Sequence, residues 1–69
     1  MYDEYDKVFT WFDNNSSEYS FYKKLDNMYV FYVHIDDIAS FMEFLGTNKY
    51  TIPDCMVDGD SITFTYRVF

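Results

Sequence analysis

The sequence predicts an α+β fold in a small single domain spanning residues 1–69, an antiparallel sheet of about four strands built from two hairpins with one or two packed helices, in the order αββαββ. Three observations carry this. Runs of β-rich sequence come in two pairs, each pair broken by a short Asp-containing turn. An apolar stripe at three- and four-residue steps lies between the pairs, and a second stripe of the same period opens the chain.

Each element follows from its residues. Tyr2, Tyr5, Phe9 and Phe12 recur at helical spacing while Asp3, Glu4 and Asp6 crowd the start, where a helix N-terminus favours negative charge. A helix over residues 2–13 is the reading, with a strand through residues 7–12 as its competitor. Asn14-Asn15-Ser16-Ser17 closes it, since these side chains hydrogen-bond their own backbone and tolerate left-handed geometry. Residues 18–25 and 28–35 then form a hairpin about Asp26-Asn27, a pair able to take the positive φ angles of a tight turn. In the second of these strands Tyr29, Phe31, Val33 and Ile35 alternate with Met28, Val30, Tyr32 and His34, so both faces are apolar. Such a strand is central to the sheet, or one of its faces meets a partner.

Asp36-Asp37 is expected to cap a second helix, in which Ile38, Phe41, Met42 and Leu45 share a face and Gly46 marks the stop. Residues 50–57 read as a strand whose Pro53 pushes it to a sheet edge or a bulge. After the turn Asp58-Gly59-Asp60, residues 61–68 alternate Ile62, Phe64, Tyr66 and Val68 with Ser61, Thr63, Thr65 and Arg67, giving one buried and one wet face.

Composition narrows the function. Hydrophobic residues make up 49% of the chain and aromatics 25%, enough apolar material to fold. Twelve Asp and Glu against five Lys and Arg leave a net charge of -7, which repels phosphate backbones and anionic membranes, so direct nucleic-acid and membrane binding are not expected. A single Cys excludes an internal disulfide and fits a reducing compartment. An acidic start and the absence of any apolar run near the roughly 18 residues of a membrane span lead to a soluble, cytoplasmic expectation.

Catalytic and metal-binding patterns are weak. His34 with Asp36 and Asp37 could hold a divalent ion or share a proton, and a metal-dependent or nucleotide-handling enzyme around His34 and Asp36 is the weakest of three readings. A strand-end His followed by two helix-capping Asp residues explains the same cluster. Asp54, Asp58 and Asp60 lack the ligand spacing and terminal Glu of a calcium loop and fit turn chemistry. Cys55 belongs to no Cys-x-x-Cys or Cys-His motif, and no Gly-rich phosphate loop, Gly-x-Ser-x-Gly or His-Glu-x-x-His pattern occurs. No enzyme activity, cofactor or metal is expected.

Tyr19, Tyr22, Tyr29, Tyr32, Tyr50 and Tyr66 are more tyrosines than a small core ordinarily hides, and Tyr is favoured where one protein surface meets another. Exposed rings on a sheet also stack single-stranded bases, but that use needs basic residues along the backbone path, and Lys23-Lys24 is the only adjacent pair. The leading expectation is therefore a non-enzymatic acidic binding protein. Asp36, Asp37, Glu43, Asp54, Asp58 and Asp60, with Tyr29 and Tyr32, are its expected contact residues. They would engage and inhibit a larger protein with a basic, nucleic-acid-binding channel by presenting carboxylates where phosphates lie. In size, charge and tyrosine content the chain resembles the small acidic inhibitors that bacteriophages direct at host enzymes, a likeness of compositional type that transfers no residue role. The alternative is a self-associating structural or regulatory subunit, a homodimer formed through a sheet face or edge.

Overall fold

A computed structural model describes residues 4–68, so Tyr2 and Asp3 of the expected first helix lie outside the described residues. The first helix, α1, runs Glu4–Asn15 with Glu4 and Asp6 in its first turn and buries Val8, Phe9 and Phe12. Helix, not the competing strand, is what residues 7–12 form. The chain carries no Gly at this helix end, so side chains satisfy the last carbonyls. Asn15 Nδ2 donates to the Trp11 carbonyl at 2.8 Å, and the Ser16 hydroxyl and amide both donate to the Phe12 carbonyl, at 2.7 and 3.1 Å.

The hairpin that follows consists of β1, Phe21–Lys24, and β2, Met28–His34. Strand β1 is shorter than its sequence implies because residues 18–20 turn to reach α2. Neither Asp26 nor Asn27 takes a positive φ; Lys49 is the only non-glycine residue among those described that does. The tight turn is instead closed by the Leu25 amide on the Met28 carbonyl at 2.9 Å, and the Asn27 carbonyl accepts the Val68 amide at the same distance.

Helix α2 spans Ile35–Thr47, and both of its ends differ from the sequence expectation. His34 is the N-cap, its Nδ1 accepting the Asp36 amide at 3.2 Å, while Asp36 and Asp37 lie one and two residues inside the first turn. Asp36 Oδ2 approaches the same Nδ1 at 3.5 Å. At the other end Gly46 sits inside the helix. The stop is a six-residue reversal in which Lys49, at φ 56°, donates to Gly46 at 3.2 Å, Tyr50 donates to Leu45 at 3.0 Å, and the Tyr50 ring packs on Phe44.

Strands β3, Asp54–Asp58, and β4, Ser61–Arg67, form the second hairpin, with Gly59 at φ 61° in its turn. Pro53 immediately precedes β3 and is buried. The sheet order is β1-β2-β4-β3, antiparallel throughout, with Phe31 opposite Phe64 and Met56 opposite Thr63. Strands β2 and β3 are therefore parallel to each other with β4 inserted between them, a split β-α-β unit; moving β4 to the front of the chain would give the order β-α-β-β-α-β.

Both helices cover one sheet face. The Phe31 ring lies 5.2 Å from Phe9 and 5.1 Å from Phe12 of α1, and 5.7 Å from Phe41 of α2. Around it Val8, Val33, Leu45, Phe64 and Tyr66 complete a buried cluster, with Tyr5, Trp11, Tyr22, Tyr29, Phe44 and Tyr50 packed at its margin. Most of the ring surplus thus fills volume under the helices. No helix among the described residues is long and apolar enough to cross a membrane.

Candidate partner-binding surface

Three connections meet at one end of the sheet. His34 at the end of β2 pairs with Ser61, which in turn pairs with Asp58, and the Ile35 amide donates to the Asp60 carbonyl at 2.8 Å. The loop between α1 and β1 is drawn to the same end by Asp37, whose Oδ2 accepts the Ser17 amide at 3.1 Å, the Ser17 hydroxyl at 2.7 Å and the Ser20 hydroxyl. Ser20 is itself buried and accepts the His34 amide at 2.9 Å, so a single hydroxyl links the helix start to the strand end.

Glu18, Asp36, Asp37, Asp58 and Asp60 are consequently gathered in these segments, with no Lys or Arg among them. The chain's cations lie elsewhere: Lys7 early in α1, Lys23 and Lys24 in β1, Lys49 beyond α2, and Arg67 at the far end of β4. A seven-residue strand separates the two ends by roughly 20 Å, beyond the screening length of about 10 Å at 0.1 M salt; Lys23 and Lys24 lie between the ends, opposite Val30 and Tyr29. The carboxylates form an acidic pole whose fields add, and the Lys23 ammonium, 5.9 Å from the centre of the Tyr32 ring, lies at its border on the open face.

The expected contact residues divide accordingly. Asp36, Asp58 and Asp60 are exposed at the pole. Asp37 is there too, but its carboxylate is engaged by the serines. Burial alone would raise the Asp37 carboxyl; the hydrogen bonds from Ser20 and Ser17, the Ser17 amide and the nearby His34 outweigh it and hold the group below the usual carboxylate range. Asp54 sits at the opposite end of β3, 3.9 Å from Arg67 Nε in an exposed pair. Glu43 lies away from the pole, on the rim of a shallow groove with Trp11, Ser40, Phe44, Thr47 and Asn48. Tyr29 faces the helices, its ring 5.3 Å from Tyr5 and 5.0 Å from Phe9. Tyr32 faces the other way.

That uncovered face carries an aromatic patch. Phe21, 53% exposed, stacks on Tyr32 with ring centroids 4.6 Å apart and planes 21° from parallel, and Tyr19, 63% exposed, lies 5.2 Å from the His34 ring. The patch leads directly from the open face to the acidic pole through His34. Phe21, Tyr19 and His34 were not among the expected contacts; the alternation of β1 marks Phe21 as outward only once Tyr22 is known to face Phe31.

Across the sheet, β3 is exposed along its whole length, with Met56 71% and Val57 73% accessible. Among the described residues no three His, Cys, Asp or Glu side chains converge to hold a metal ion. His34 spends Nδ1 on its cap, and Cys55 lies exposed on β3. No family model, curated protein or solved structure matches the chain.

Proposed function

We propose that the protein is a non-enzymatic binding protein that engages the basic surface of a larger protein through its acidic pole and the adjoining aromatic patch. The target class this fits best is a nucleic-acid-binding protein. In its channel the carboxylates of Asp36, Asp58 and Asp60 would lie where phosphates otherwise do, and Phe21, Tyr19 and Tyr32 would supply contact area. Binding of this kind inhibits by occupying the channel, the mode of a phage-type anti-defence or host-takeover factor. An exposed, unpaired Cys55 suits a reducing cytoplasm, that of the host if the chain is viral. The observation that carries the reading is the gathering of Glu18, Asp36, Asp58 and Asp60 at one end of the sheet, in segments that contain no Lys or Arg.

The experiment is capture of basic proteins from a bacterial lysate by the immobilised chain at low and high salt. Capture that weakens with salt, and that Asp36→Lys with Asp60→Lys abolishes, supports the reading; capture indifferent to both contradicts it.

A second reading is self-association, favoured by the exposed apolar residues of edge strand β3. Light scattering separates the two: a dimer that survives charge reversal at the pole and breaks on Met56→Lys belongs to the second.

A further inference from the structure

The two most exposed large hydrophobic residues described, Met56 and Val57, are adjacent in β3, and β3 is an edge of the sheet. An edge strand leaves alternate backbone N–H and C=O groups without a ladder partner. The opposite edge, β1, is guarded by Lys23 and Lys24, the usual device against strand pairing. Edge β3 has no cation of its own. Asp54, Met56 and Asp58 share its outer face by strand alternation, an acid-apolar-acid pattern, while Cys55 and Val57 point to the helix side yet remain exposed.

Charge decides what this edge accepts. Two copies of β3 paired antiparallel about Met56 would set Asp54 of each against Asp58 of the other, and like charges directly opposite destabilise a ladder. Shifting the centre to Val57 sets Asp54 against Asp60 of the turn, and a centre at Cys55 sets Pro53, which has no N–H to donate, against Val57. A strand with a cation at each flank and an apolar centre reverses both charge terms. The Arg67 contact with Asp54 leaves this open, because a pair so exposed contributes little.

We propose that β3 is a docking edge for an extended segment of another protein, with the pattern basic-x-apolar-x-basic, which adds as a fifth strand beside Asp54–Asp58. The proposal rests on the reading of a basic partner and specifies how one segment of that partner is held. Backbone hydrogen bonds would supply affinity, and Asp54 and Asp58 would select the cationic flanks.

The test uses the full chain and three capped peptides: one centred on Lys-Thr-Val-Thr-Lys, one in which Glu replaces both lysines, and a copy of the first with alternate amides N-methylated. Binding is followed by backbone amide shifts. The expected result is perturbation confined to β3 and its neighbour β4, with the basic peptide preferred about tenfold over the acidic one. Asp54→Lys with Asp58→Lys should invert that preference, and N-methylation should abolish binding. The proposal is overturned by perturbation elsewhere, by an N-methylated peptide that binds equally, or by a wild-type dimer that Met56→Lys converts to monomer. N-methylation leaves the protein untouched, so its result stands even if the double variant does not fold. If the peptides fail while Asp36→Lys with Asp60→Lys still abolishes lysate capture, the docking edge falls and the acidic-pole reading survives. Peptide binding beside pole-independent capture has the opposite meaning.

Discussion

The Ser20 hydroxyl donates to the Asp37 carboxylate across seventeen residues of chain, and this contact ties the loop after α1 to the first turn of α2. It also fixes the acidic pole, because Ser20 accepts the His34 amide and His34 caps the helix that carries Asp36. One acid of the pole is thus structural, whereas Asp36, Asp58 and Asp60 are exposed.

Removing that acid should cost stability. Asp37→Ala leaves the buried Ser20 hydroxyl and the Ser17 amide without their acceptor, and a loss of about 2–3 kcal/mol is expected, with about 1–2 kcal/mol for Ser20→Ala. Urea unfolding of both single variants and the double variant measures this. The double should lose less than the sum, because the two changes remove one shared contact.

The same carboxylate gives a pH dependence of defined sign. Its folded-state pKa is depressed, so its contribution is complete above the unfolded value and is lost as pH falls through the lower folded one. With an unfolded Asp near 3.9, stability should drop from about pH 4 downward. Urea midpoints across the acid range should show a steeper fall in the wild type than in Asp37→Asn.

At alkaline pH a different group is limiting. Burial, then the charges of Glu4 and Tyr5, push the Tyr66 phenol far above its ordinary value of 10.0, and its hydroxyl donates to the Thr51 carbonyl at 3.0 Å. A raised folded-state value means the contribution is present below pH 10 and lost as pH rises beyond it. Phenolate absorbance should show Tyr66 ionising only with unfolding. Tyr66→Phe should lower stability by about 1 kcal/mol at neutral pH and flatten the alkaline loss.

The end of α2 offers two stabilising changes. Gly46 is helical and an added Cβ there meets nothing within 4 Å, so Gly46→Ala should gain about 0.5–1 kcal/mol. Lys49 holds the left-handed position normally given to glycine, and Lys49→Gly should gain a similar amount, about 0.5–1 kcal/mol. Thermal unfolding checks both.

These two residues also mark where local reading reaches its limit. A glycine after an amphipathic stripe reads as a stop, yet the Leu45 to Tyr50 hydrogen bond and the Phe44–Tyr50 ring contact stabilise a stop three residues later. All six elements and their order are legible, because periods of 3.6 and 2 are properties of neighbouring residues. The two-faced pattern of β2 likewise marks it as internal to the sheet, and it lies between β1 and β4. Strand order and the shared face of the helices depend on contacts far apart in sequence, such as Phe31 with Phe9 and Phe41. For the same reason the chain's many tyrosines read as surface, whereas Tyr29 and Tyr66 meet Tyr5 in a ring cluster beneath the helices. Asp37 reads as a cap or a contact, since nothing local pairs it with Ser17 and Ser20.

The central claim is that the position of the carboxylates, and not the net charge alone, governs partner binding. Two variants of equal net charge separate these: Asp36→Lys with Asp60→Lys at the pole, and Asp6→Lys with Asp26→Lys away from it. Capture of the heparin-binding fraction of a bacterial lysate, measured at matched salt, should be lost in the first and retained in the second. Equal loss in both, or retention in the pole variant, would contradict the claim.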